Sequence, residues 1–215
     1  KPDRIILIDY PGFNLRLAKR IQHLKIPITY FILPQVWAWK EKRVETMKAV
    51  LDQTLSIFPF EQDWFESRGL QTNYVGHPFA EQEHLDESSK DFYQRHDITI
   101  EHPLLVLLPG SRQQEVDRHW PIFLKTVKKL KEFNSLIQVM VGKASNVSLS
   151  PIPHDFKIEE NARKAMIAGT VAIVSSGTAT LECAVEDTAM VVCYKLSTIS
   201  WWMANNMASV KYASM

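Results

Sequence analysis

Two segments of the chain place glycine, hydroxyl and basic residues where a strand meets a helix. In the first, the apolar run Leu104–Leu108 stops at Pro109-Gly110 and leads through Ser111 and Arg112 into a helical pattern. Such a turn directs unpaired backbone N–H groups and the positive end of the helix dipole at one point. The planar guanidinium of Arg112 can hold two phosphate oxygens, which predicts a phosphate site. The simpler alternative is a surface ion pair between Arg112 and Glu115.

The second segment, residues 171–182, has the same plan. The strand pattern Val171–Ser175 is followed by Ser176-Gly177-Thr178, which opens a helix. Capping of that helix by a serine or threonine is the simpler interpretation, and it is compatible with phosphate binding. Glu182 lies on the same helix and either accepts hydrogen bonds from a ribose or is a solvated carboxylate. Two such turns predict a nucleotide as the ligand.

Asp9 is the candidate for proton transfer. It follows the apolar run Ile5–Ile8, and a carboxylate at the end of a strand could take a proton from a sugar hydroxyl. The simpler alternative is an aspartate that stabilises the following turn. His77, which follows another strand and precedes Pro78, is interpreted either as a ligand contact or as a hydrogen-bonded structural histidine.

Trp37 and Trp39 precede a basic stretch, Lys40 to Arg43. Aromatic and basic residues together suit a membrane surface or an acidic amphiphile. The alternative is a tryptophan in the core beside a solvated basic helix face.

Composition limits the possible partners. The formal net charge of +1 gives no global field for nucleic acid, so we expect no nucleic-acid partner. Neither the histidines nor the cysteines have the spacing of metal ligands, so we expect no metal. Cys183 and Cys193 lack a paired spacing, which favours a reduced, intracellular setting. No apolar run approaches the ~20 residues of a membrane span, and the start at Lys1 without a methionine predicts a segment upstream.

Strand patterns alternate with helix patterns along the whole chain, which predicts an α/β fold with parallel sheets. Asn14 is the expected N-cap of a helix that reaches Leu24, and the polar stretch 85–102 is the expected linker between domains 1–84 and 103–215. Ligands of such folds bind beyond the carboxyl ends of the strands, so we expect a cleft between the two halves. The expected strands lie near 5–8, 27–33, 54–58, 72–75, 104–108, 136–141, 171–175 and 189–194, and the expected helices near 14–24, 40–50, 60–68, 113–133, 161–168, 177–187 and 199–211.

Six short motifs, in this order and spacing, closely resemble the lipid-A-disaccharide synthase family. They are Ile-Asp-Tyr-Pro-Gly-Phe-Asn at 8–14, Pro-Gln-Val-Trp-Ala-Trp at 34–39, Phe-Pro-Phe-Glu at 58–61, Val-Gly-His-Pro at 75–78, Leu-Pro-Gly-Ser-Arg at 108–112 and Ser-Gly-Thr-Ala-Thr-Leu-Glu at 176–182.

The resemblance implies an inverting glycosyltransferase of the GT-B type with two Rossmann-like, doubly wound domains. The chain is expected to be a fragment that lacks both ends, so both domains are expected to be incomplete. The family joins UDP-2,3-diacylglucosamine to 2,3-diacylglucosamine 1-phosphate (lipid X) and yields a β-1,6-linked lipid A disaccharide 1-phosphate and UDP, without a metal or other cofactor. By position, residues 1–84 resemble part of the acceptor-side domain and residues 103–215 the UDP-sugar-binding domain. The acylated substrates imply a peripheral protein at the cytoplasmic face of the inner membrane, and a homo-oligomer is left open.

The resemblance also implies roles for particular residues. Asp9 resembles the catalytic acid–base residue and Arg112 the arginine at the diphosphate, whereas Gly12 stands where many members carry a second aspartate. Asn14, Trp37, Trp39 and His77 would lie on the acceptor or lipid side. The UDP moiety would contact Gly110, Ser111, Arg112, Glu115, Ser176, Gly177, Thr178, Ala179, Thr180 and Glu182.

Two other functions stay open at this point. One is a different GT-B enzyme that acts on UDP-N-acetylglucosamine, such as a 2-epimerase. The other is a non-catalytic module that binds a membrane or a partner through its aromatic surfaces.

Overall fold

The computed structural model describes residues 1–38, 40–81 and 87–196. Residues 1–81 belong to one compact unit and residues 87–196 to a second. Trp39 and the helix expected near 199–211 lie outside the described residues. Each unit is an α/β layer structure built on a parallel sheet, so the α/β class with two Rossmann-like parallel-sheet units is confirmed.

The first unit has four parallel strands that lie in chain order. Its core lies between the sheet and its helices and contains Tyr30, Met47 and Phe65, all fully buried. The elements are β1 (Ile5–Ile8), α1 (Pro11–Ile21), β2 (Ile28–Phe31), α2 (Arg43–Val50), β3 (Gln53–Ser56), α3 (Pro59–Glu66) and β4 (Asn73–Tyr74), with 3₁₀ turns at Gln22–Leu24 and Pro78–Glu81.

The second unit has five parallel strands in the order β7-β6-β5-β8-β9. The strand order reverses between β5 and β8, and such a switch point leaves a crevice beyond the carboxyl ends of the two strands. The five residues of β5 are all buried, as expected for the central strand of a sheet covered on both faces. The elements are α4 (Ser89–Arg95), β5 (Leu104–Leu108), α5 (Gln113–Phe133), β6 (Gln138–Gly142), β7 (Phe156–Glu159), α6 (Ala162–Ala168), β8 (Val171–Ser175), α7 (Thr178–Val185) and β9 (Met190–Cys193).

The polar stretch 85–102 differs from a simple linker because it contains α4. Phe92 of this helix is buried in the core of the second unit, and the Tyr93 hydroxyl donates a hydrogen bond to the backbone oxygen of Ala168 at 2.7 Å. Arg95 pairs with the carboxylate of Glu159 at 2.7 Å. The many charged residues of this stretch cover one face of a docked helix, and its few apolar residues anchor the other face.

The expectation that Asn14 caps α1 is wrong. The helix begins three residues earlier, at Pro11, and Tyr10 is its N-cap with a left-handed backbone. Proline has a fixed φ that suits the first turn of a helix and lacks the N–H that would be unpaired there, so Pro11 starts the helix. Strand β7, at the sheet edge, was not expected, because its sequence Phe-Lys-Ile-Glu is a short run interrupted by charges.

No helix in residues 1–38, 40–81 and 87–196 is long and apolar enough to cross a membrane.

Candidate functional site

A cavity of about 240 Å³ opens at the switch point of the second unit. It lies beyond the ends of β5 and β8, where the sequence places its two anion-binding turns. Of the expected nucleotide contacts, only Arg112 and Thr180 are absent from its lining. The lining includes Gly110, Ser111, Glu115, Glu160, Ser175, Ser176, Gly177, Thr178, Ala179 and Glu182.

Two helix N-termini point toward this cavity. The N-cap of α7 is Gly177, which has no side chain to accept hydrogen bonds from the first-turn N–H groups. The N-cap of α5 is Arg112, and it makes no side-chain capping bond. The N-cap of α7 is therefore not a serine or threonine, and the Thr180 hydroxyl donates to the Gly177 oxygen at 2.7 Å. One amide in the first turn of each helix already has an acceptor, since the Thr180 N–H donates to the Gly177 oxygen and the Glu115 N–H to the Arg112 oxygen. The amides nearer the two helix starts are the candidates for an anion.

Gly110 is required by the geometry of the β5–α5 turn. Its φ of 129° lies in a region that L-residues rarely adopt. A Cβ at this position would also lie 3.0 Å from both Cβ and Oε2 of Glu115. The turn therefore brings bare backbone against the cavity, which permits close approach of a ligand.

Ser175, which the sequence did not single out, has an unusual hydroxyl. Its side chain is buried, and its Oγ has no hydrogen-bond partner among the described residues. The residue lines the cavity at the end of β8. A buried hydroxyl without a partner destabilises the protein, so it is best explained by a polar ligand group that completes it.

The charged side chains that line the cavity are three carboxylates, Glu115, Glu160 and Glu182. Burial is the main cause that raises the pKa of Glu182, and Glu186 adds to the increase while Arg163 opposes it. Carboxylates repel phosphate but accept hydrogen bonds from vicinal hydroxyls. Glu115 lies in the first turn of α5 beside Gly110, whereas Glu182 lies further along α7 and can accept hydrogen bonds from a sugar.

Arg112 lies outside the cavity lining in this structure. Its side chain is 81% exposed, and its Nη1 donates to Oε1 of Glu115 at 3.0 Å. The ion pair with Glu115, the simpler interpretation of this arginine, is therefore present. The same ion pair places the guanidinium beside Glu115, a residue of the cavity lining.

His119, on α5, connects the β5–α5 turn to the segment that follows β9. It is buried, its Nδ1 lies 3.0 Å from the Pro109 oxygen, and its Nε2 lies 2.9 Å from the Lys195 backbone nitrogen. Because the Lys195 N–H can only donate, Nε2 accepts and Nδ1 carries the proton. This residue was missed because nothing in the sequence shows that its partners are 10 and 76 positions away.

In the first unit, Asp9 sits in a strained turn. Asp9 and Tyr10 both have left-handed backbones, with φ of 46° and 42°. Asn14 Nδ2 donates to the backbone oxygens of Ile8 and Asp9 at 3.0 and 2.8 Å, and the Tyr30 hydroxyl donates to the Asp9 oxygen at 2.5 Å. Burial raises the pKa of Tyr30 well above its ordinary value, and the charge of Asp9 adds to this. Asp9 is exposed to solvent, on a turn whose backbone is held by the side chains of Asn14 and Tyr30.

Three of the six motifs converge on a row of aromatic rings, Trp37, Phe60, Phe58, His77 and Phe79. Successive ring centroids lie 5.1, 6.0, 5.7 and 4.9 Å apart. Burial lowers the pKa of His77, and its Nδ1 accepts the Phe79 N–H at 3.1 Å. His77 is thus a neutral ring with its proton on Nε2. Phe60 is 50% exposed, so this aromatic row reaches the surface.

Trp37 also has a structural partner. Its Nε1 donates at 3.1 Å to Glu61, whose carboxylate is fully buried. Burial raises the pKa of Glu61, while the hydrogen bonds from Trp37 and from the Phe58 backbone lower it. Trp37 is half buried, and its hydrogen bond to Glu61 orients the ring. Trp39 lies outside the described residues.

Among the residues that the structure describes, no group of three or more His, Cys, Asp or Glu side chains is arranged to hold a metal ion.

The chain matches a protein-family model over its whole length. The family model described as lipid-A-disaccharide synthetase matches residues 1–215. The chain is 36% identical over 223 residues to a lipid-A-disaccharide synthase of Myxococcus xanthus and 37% identical over 227 residues to lipid-A-disaccharide synthase 1 of Legionella pneumophila. Both alignments cover all of this chain and 58% of the relative, so the chain spans less than two thirds of these curated relatives.

Two solved UDP-GlcNAc 2-epimerases have a similar fold. A UDP-GlcNAc 2-epimerase from Neisseria meningitidis, bound to UDP-GlcNAc, has a TM-score of 0.62 at 10% identity and covers 91% of this chain and 60% of its own. The UDP-GlcNAc 2-epimerase of Methanocaldococcus jannaschii has a TM-score of 0.54 at 12% identity and covers 99% of this chain and 72% of its own. At these identities the likeness shows the shared fold.

Proposed function

The chain belongs to the lipid-A-disaccharide synthetase family, and from that premise we propose that the protein joins UDP-2,3-diacylglucosamine to lipid X. The products are the β-1,6-linked disaccharide 1-phosphate and UDP. The observation that carries the proposal is the cavity at the β5–β8 switch point, with two helix N-termini around it and the hydroxyl of Ser175, which has no partner among the described residues.

The second unit is proposed to bind the UDP part of the donor. The diphosphate would occupy the side of the cavity formed by Gly110, Ser111 and the first turn of α7. Arg112 would leave Glu115 and pair with two phosphate oxygens, since an arginine fork bound to phosphate is stronger than an exposed ion pair. Glu182 would accept hydrogen bonds from the ribose hydroxyls, and Ser175 would complete its hydrogen bonding on the ligand. Ser176, Gly177, Thr178 and Ala179 would line the phosphates.

The first unit is proposed to supply the base. Asp9 takes the proton of the acceptor 6-hydroxyl while that oxygen attacks the anomeric carbon of the donor. The new C–O bond forms as the bond from the anomeric carbon to UDP breaks, and the negative charge passes to the diphosphate. Arg112 and the helix N-termini stabilise that charge. One displacement inverts the anomeric centre, and no covalent intermediate is required.

The charge on the leaving group is thus neutralised by protein groups, and no metal or cofactor takes part in the proposed reaction. Rates that are equal with and without a chelator such as EDTA are the expected result.

The acyl chains of both substrates favour a reaction at the membrane surface, and we propose the cytoplasmic face of the inner membrane. The exposed end of the aromatic row, at Phe60, is the proposed lipid-side element together with Trp37. His77 would present its Nε2–H beside it as a donor to the acceptor.

The test is titration calorimetry of the full-length protein with UDP, followed by assays with acylated and unacylated UDP-glucosamine donors. UDP is expected to bind, and Arg112→Ala is expected to weaken binding by about tenfold or more, the loss of a charge-assisted hydrogen bond. Arg118→Ala, on the exposed surface of the same helix, is the matched control and keeps the affinity. Mass spectrometry should find the acylated disaccharide 1-phosphate as the product.

The two rival functions give different results. Turnover of UDP-N-acetylglucosamine alone would replace the proposal by another GT-B activity. In a non-catalytic module, Arg112→Ala leaves association with membranes unchanged and Trp37→Ala weakens it, without turnover of either donor.

A further inference from the structure

A second concave site lies in the first unit, between α1 and α2. It is a groove of about 200 Å³, and every charged side chain in its lining is a cation. Arg16 and Lys19 come from α1, and Arg43 comes from the start of α2. We refer to it as the basic groove.

The cations of the basic groove are not neutralised by neighbouring acids. In the described part of the chain, none of the three forms an ion pair with a carboxylate. Two acids on α2 and just before it pair elsewhere, because Glu45 lies 2.7 Å from Lys48 and Glu41 lies 2.6 Å from Arg68. The charge of Asp9 acts on the Tyr30 hydroxyl, as does that of Arg43. Three like charges in one groove repel one another, so the groove favours an anion.

The backbone at the end of the groove also favours an anion. Pro11 and Gly12, in the first turn of α1, line the groove, and this turn contains no acidic residue. The Gly12 N–H precedes the amides of Phe13 and Asn14, which donate to the Tyr10 oxygen, and an N–H at the start of a helix has no intrahelical acceptor. No atom lies within 4 Å of the position of a Cβ on Gly12, so this backbone is open to a ligand. The Thr46 side chain adds a hydroxyl to the lining.

The chain connects this groove directly to the proposed base. Asp9 precedes Pro11 by two residues, at the carboxyl end of β1. A molecule with an anionic group in the groove would thus have that group beside the chain segment that carries Asp9. A phosphate monoester carries about −1.5 to −2 charges near neutral pH, which matches a site formed by three cations and a helix N-terminus.

We infer that the basic groove binds the phosphate monoester of the sugar acceptor and so selects a phosphorylated acceptor over a neutral one. This inference rests on the proposed function. Arg16 and Arg43 are the specificity-determining residues, since a guanidinium can hold two phosphate oxygens at once, and Lys19 adds a point charge.

The kinetic test compares lipid X with its dephosphorylated form, in the full-length protein and in the double variant Arg16→Gln/Arg43→Gln. The variant is expected to raise the KM for lipid X by about tenfold or more and to leave UDP affinity unchanged. With the dephosphorylated acceptor, the variant and the unchanged protein should have equal KM values, since the lost contact is to phosphate. Arg20→Gln, on α1 outside the groove lining, is the matched control and should behave as the unchanged protein.

A binding test works without turnover. The ³¹P signal of α-glucosamine 1-phosphate should shift or broaden with the unchanged protein and with Arg20→Gln, but not with the double variant. Binding to vesicles of phosphatidylglycerol and of phosphatidylcholine forms the second arm. If the double variant loses only its preference for phosphatidylglycerol vesicles, and responds to α-glucosamine 1-phosphate like the unchanged protein, the groove binds lipid headgroups and the inference is overturned.

Failure of the inference can be told apart from failure of the proposed function. If the unchanged protein transfers sugar to lipid X and the double variant keeps the KM of the unchanged protein for lipid X, the inference alone is wrong. If the unchanged protein binds UDP but makes no disaccharide, the proposed function is wrong, and the ³¹P experiment still decides whether the groove binds a sugar phosphate.

Discussion

The backbone oxygen of Pro109 accepts a hydrogen bond from Nδ1 of His119 at 3.0 Å, inside the second unit. On the other side of the same ring, Nε2 accepts the backbone N–H of Lys195 at 2.9 Å. One neutral imidazole therefore joins the residue before Gly110 to the segment that follows β9. The position of the β5–α5 turn therefore depends on a contact made from within α5, the helix that the turn leads into.

The variant His119→Phe is expected to weaken UDP binding by about tenfold and to cost about 1–3 kcal/mol of stability, because it leaves the oxygen of the buried Pro109 and the Lys195 N–H without this partner. His119→Gln should recover part of the affinity, since its amide can both donate and accept. Titration calorimetry with UDP measures the affinity, and thermal unfolding measures the stability.

The matched control is Phe123→Leu, which removes the ring stacked 6.1 Å from His119 and keeps both hydrogen bonds. It should cost stability without changing UDP affinity. Unchanged affinity in His119→Phe would show that the turn holds its shape without the imidazole.

Ser175 predicts opposite effects on stability and on binding. Because its buried Oγ has no partner among the described residues, Ser175→Ala should leave the free energy of unfolding unchanged or raise it by about 1 kcal/mol. UDP affinity should fall by about tenfold, the value of one hydrogen bond. Urea unfolding and calorimetry on the same preparation test both effects. A variant that is less stable and binds UDP normally would mean that the hydroxyl serves the fold.

The elements around the cavity at the β5–β8 switch point could be predicted from the sequence because their signals are local. The apolar run 104–108 and the amphipathic helix 113–133 have the predicted bounds in the structure. A strand buried on both faces is a continuous apolar run, and the Pro-Gly turn marks where it stops. The place of the site beyond the strand ends followed from the predicted parallel sheet.

The details of the site depended on tertiary contacts and could not be predicted. The sequence motif around Asn14 indicates a helix start, but the Asn14 side chain binds backward to the Ile8 and Asp9 oxygens. In the same way, the docking of α4 depends on Glu159, which is distant in sequence. Local sequence propensity predicts neither the hydrogen bonds of Asn14 nor the ion pair of Arg95 with Glu159. Both contacts form only in the folded chain.

The docking of α4 predicts a loss of stability in acid. Hydrogen bonds from Arg95 and Lys164 hold the pKa of Glu87 at about 2. Burial alone would raise the pKa of Glu159, but the hydrogen bonds from the Asn161 backbone, Arg95 and His96 lower it below its usual value. Both carboxylates therefore take up protons at higher pH in the unfolded chain, whose glutamates have a pKa of about 4.3. Their contribution to stability is complete above that pH and is lost as the pH falls toward about 2.

Urea unfolding across this pH range measures the loss, and hydrogen exchange of residues 89–95 should identify α4 as the helix that opens. The variant Glu159→Gln should lower stability at neutral pH and flatten the pH dependence. Glu132→Gln, on the exposed end of α5, should keep the full dependence. If Glu159→Gln and Glu132→Gln give the same pH profile, the Arg95 network does not hold α4.

Asn14 predicts a loss of turnover without loss of donor binding. Asn14→Ala removes two hydrogen bonds from the turn that contains Asp9 and Tyr10. Both residues have a left-handed backbone, and holding one residue in that conformation costs about 1–3 kcal/mol. The turn should relax, the Asp9 carboxylate should move from its fixed position, and kcat should fall by about tenfold or more while UDP affinity stays the same. The matched control is Gln22→Ala. Gln22 lies just beyond the C-terminal end of α1, and its side chain donates a hydrogen bond to the Ala49 oxygen. Loss of that bond should leave kcat unchanged. Equal kcat values in the two variants would mean that the turn keeps its shape through Tyr30 alone, so Tyr30→Phe in the Asn14→Ala background should then abolish turnover.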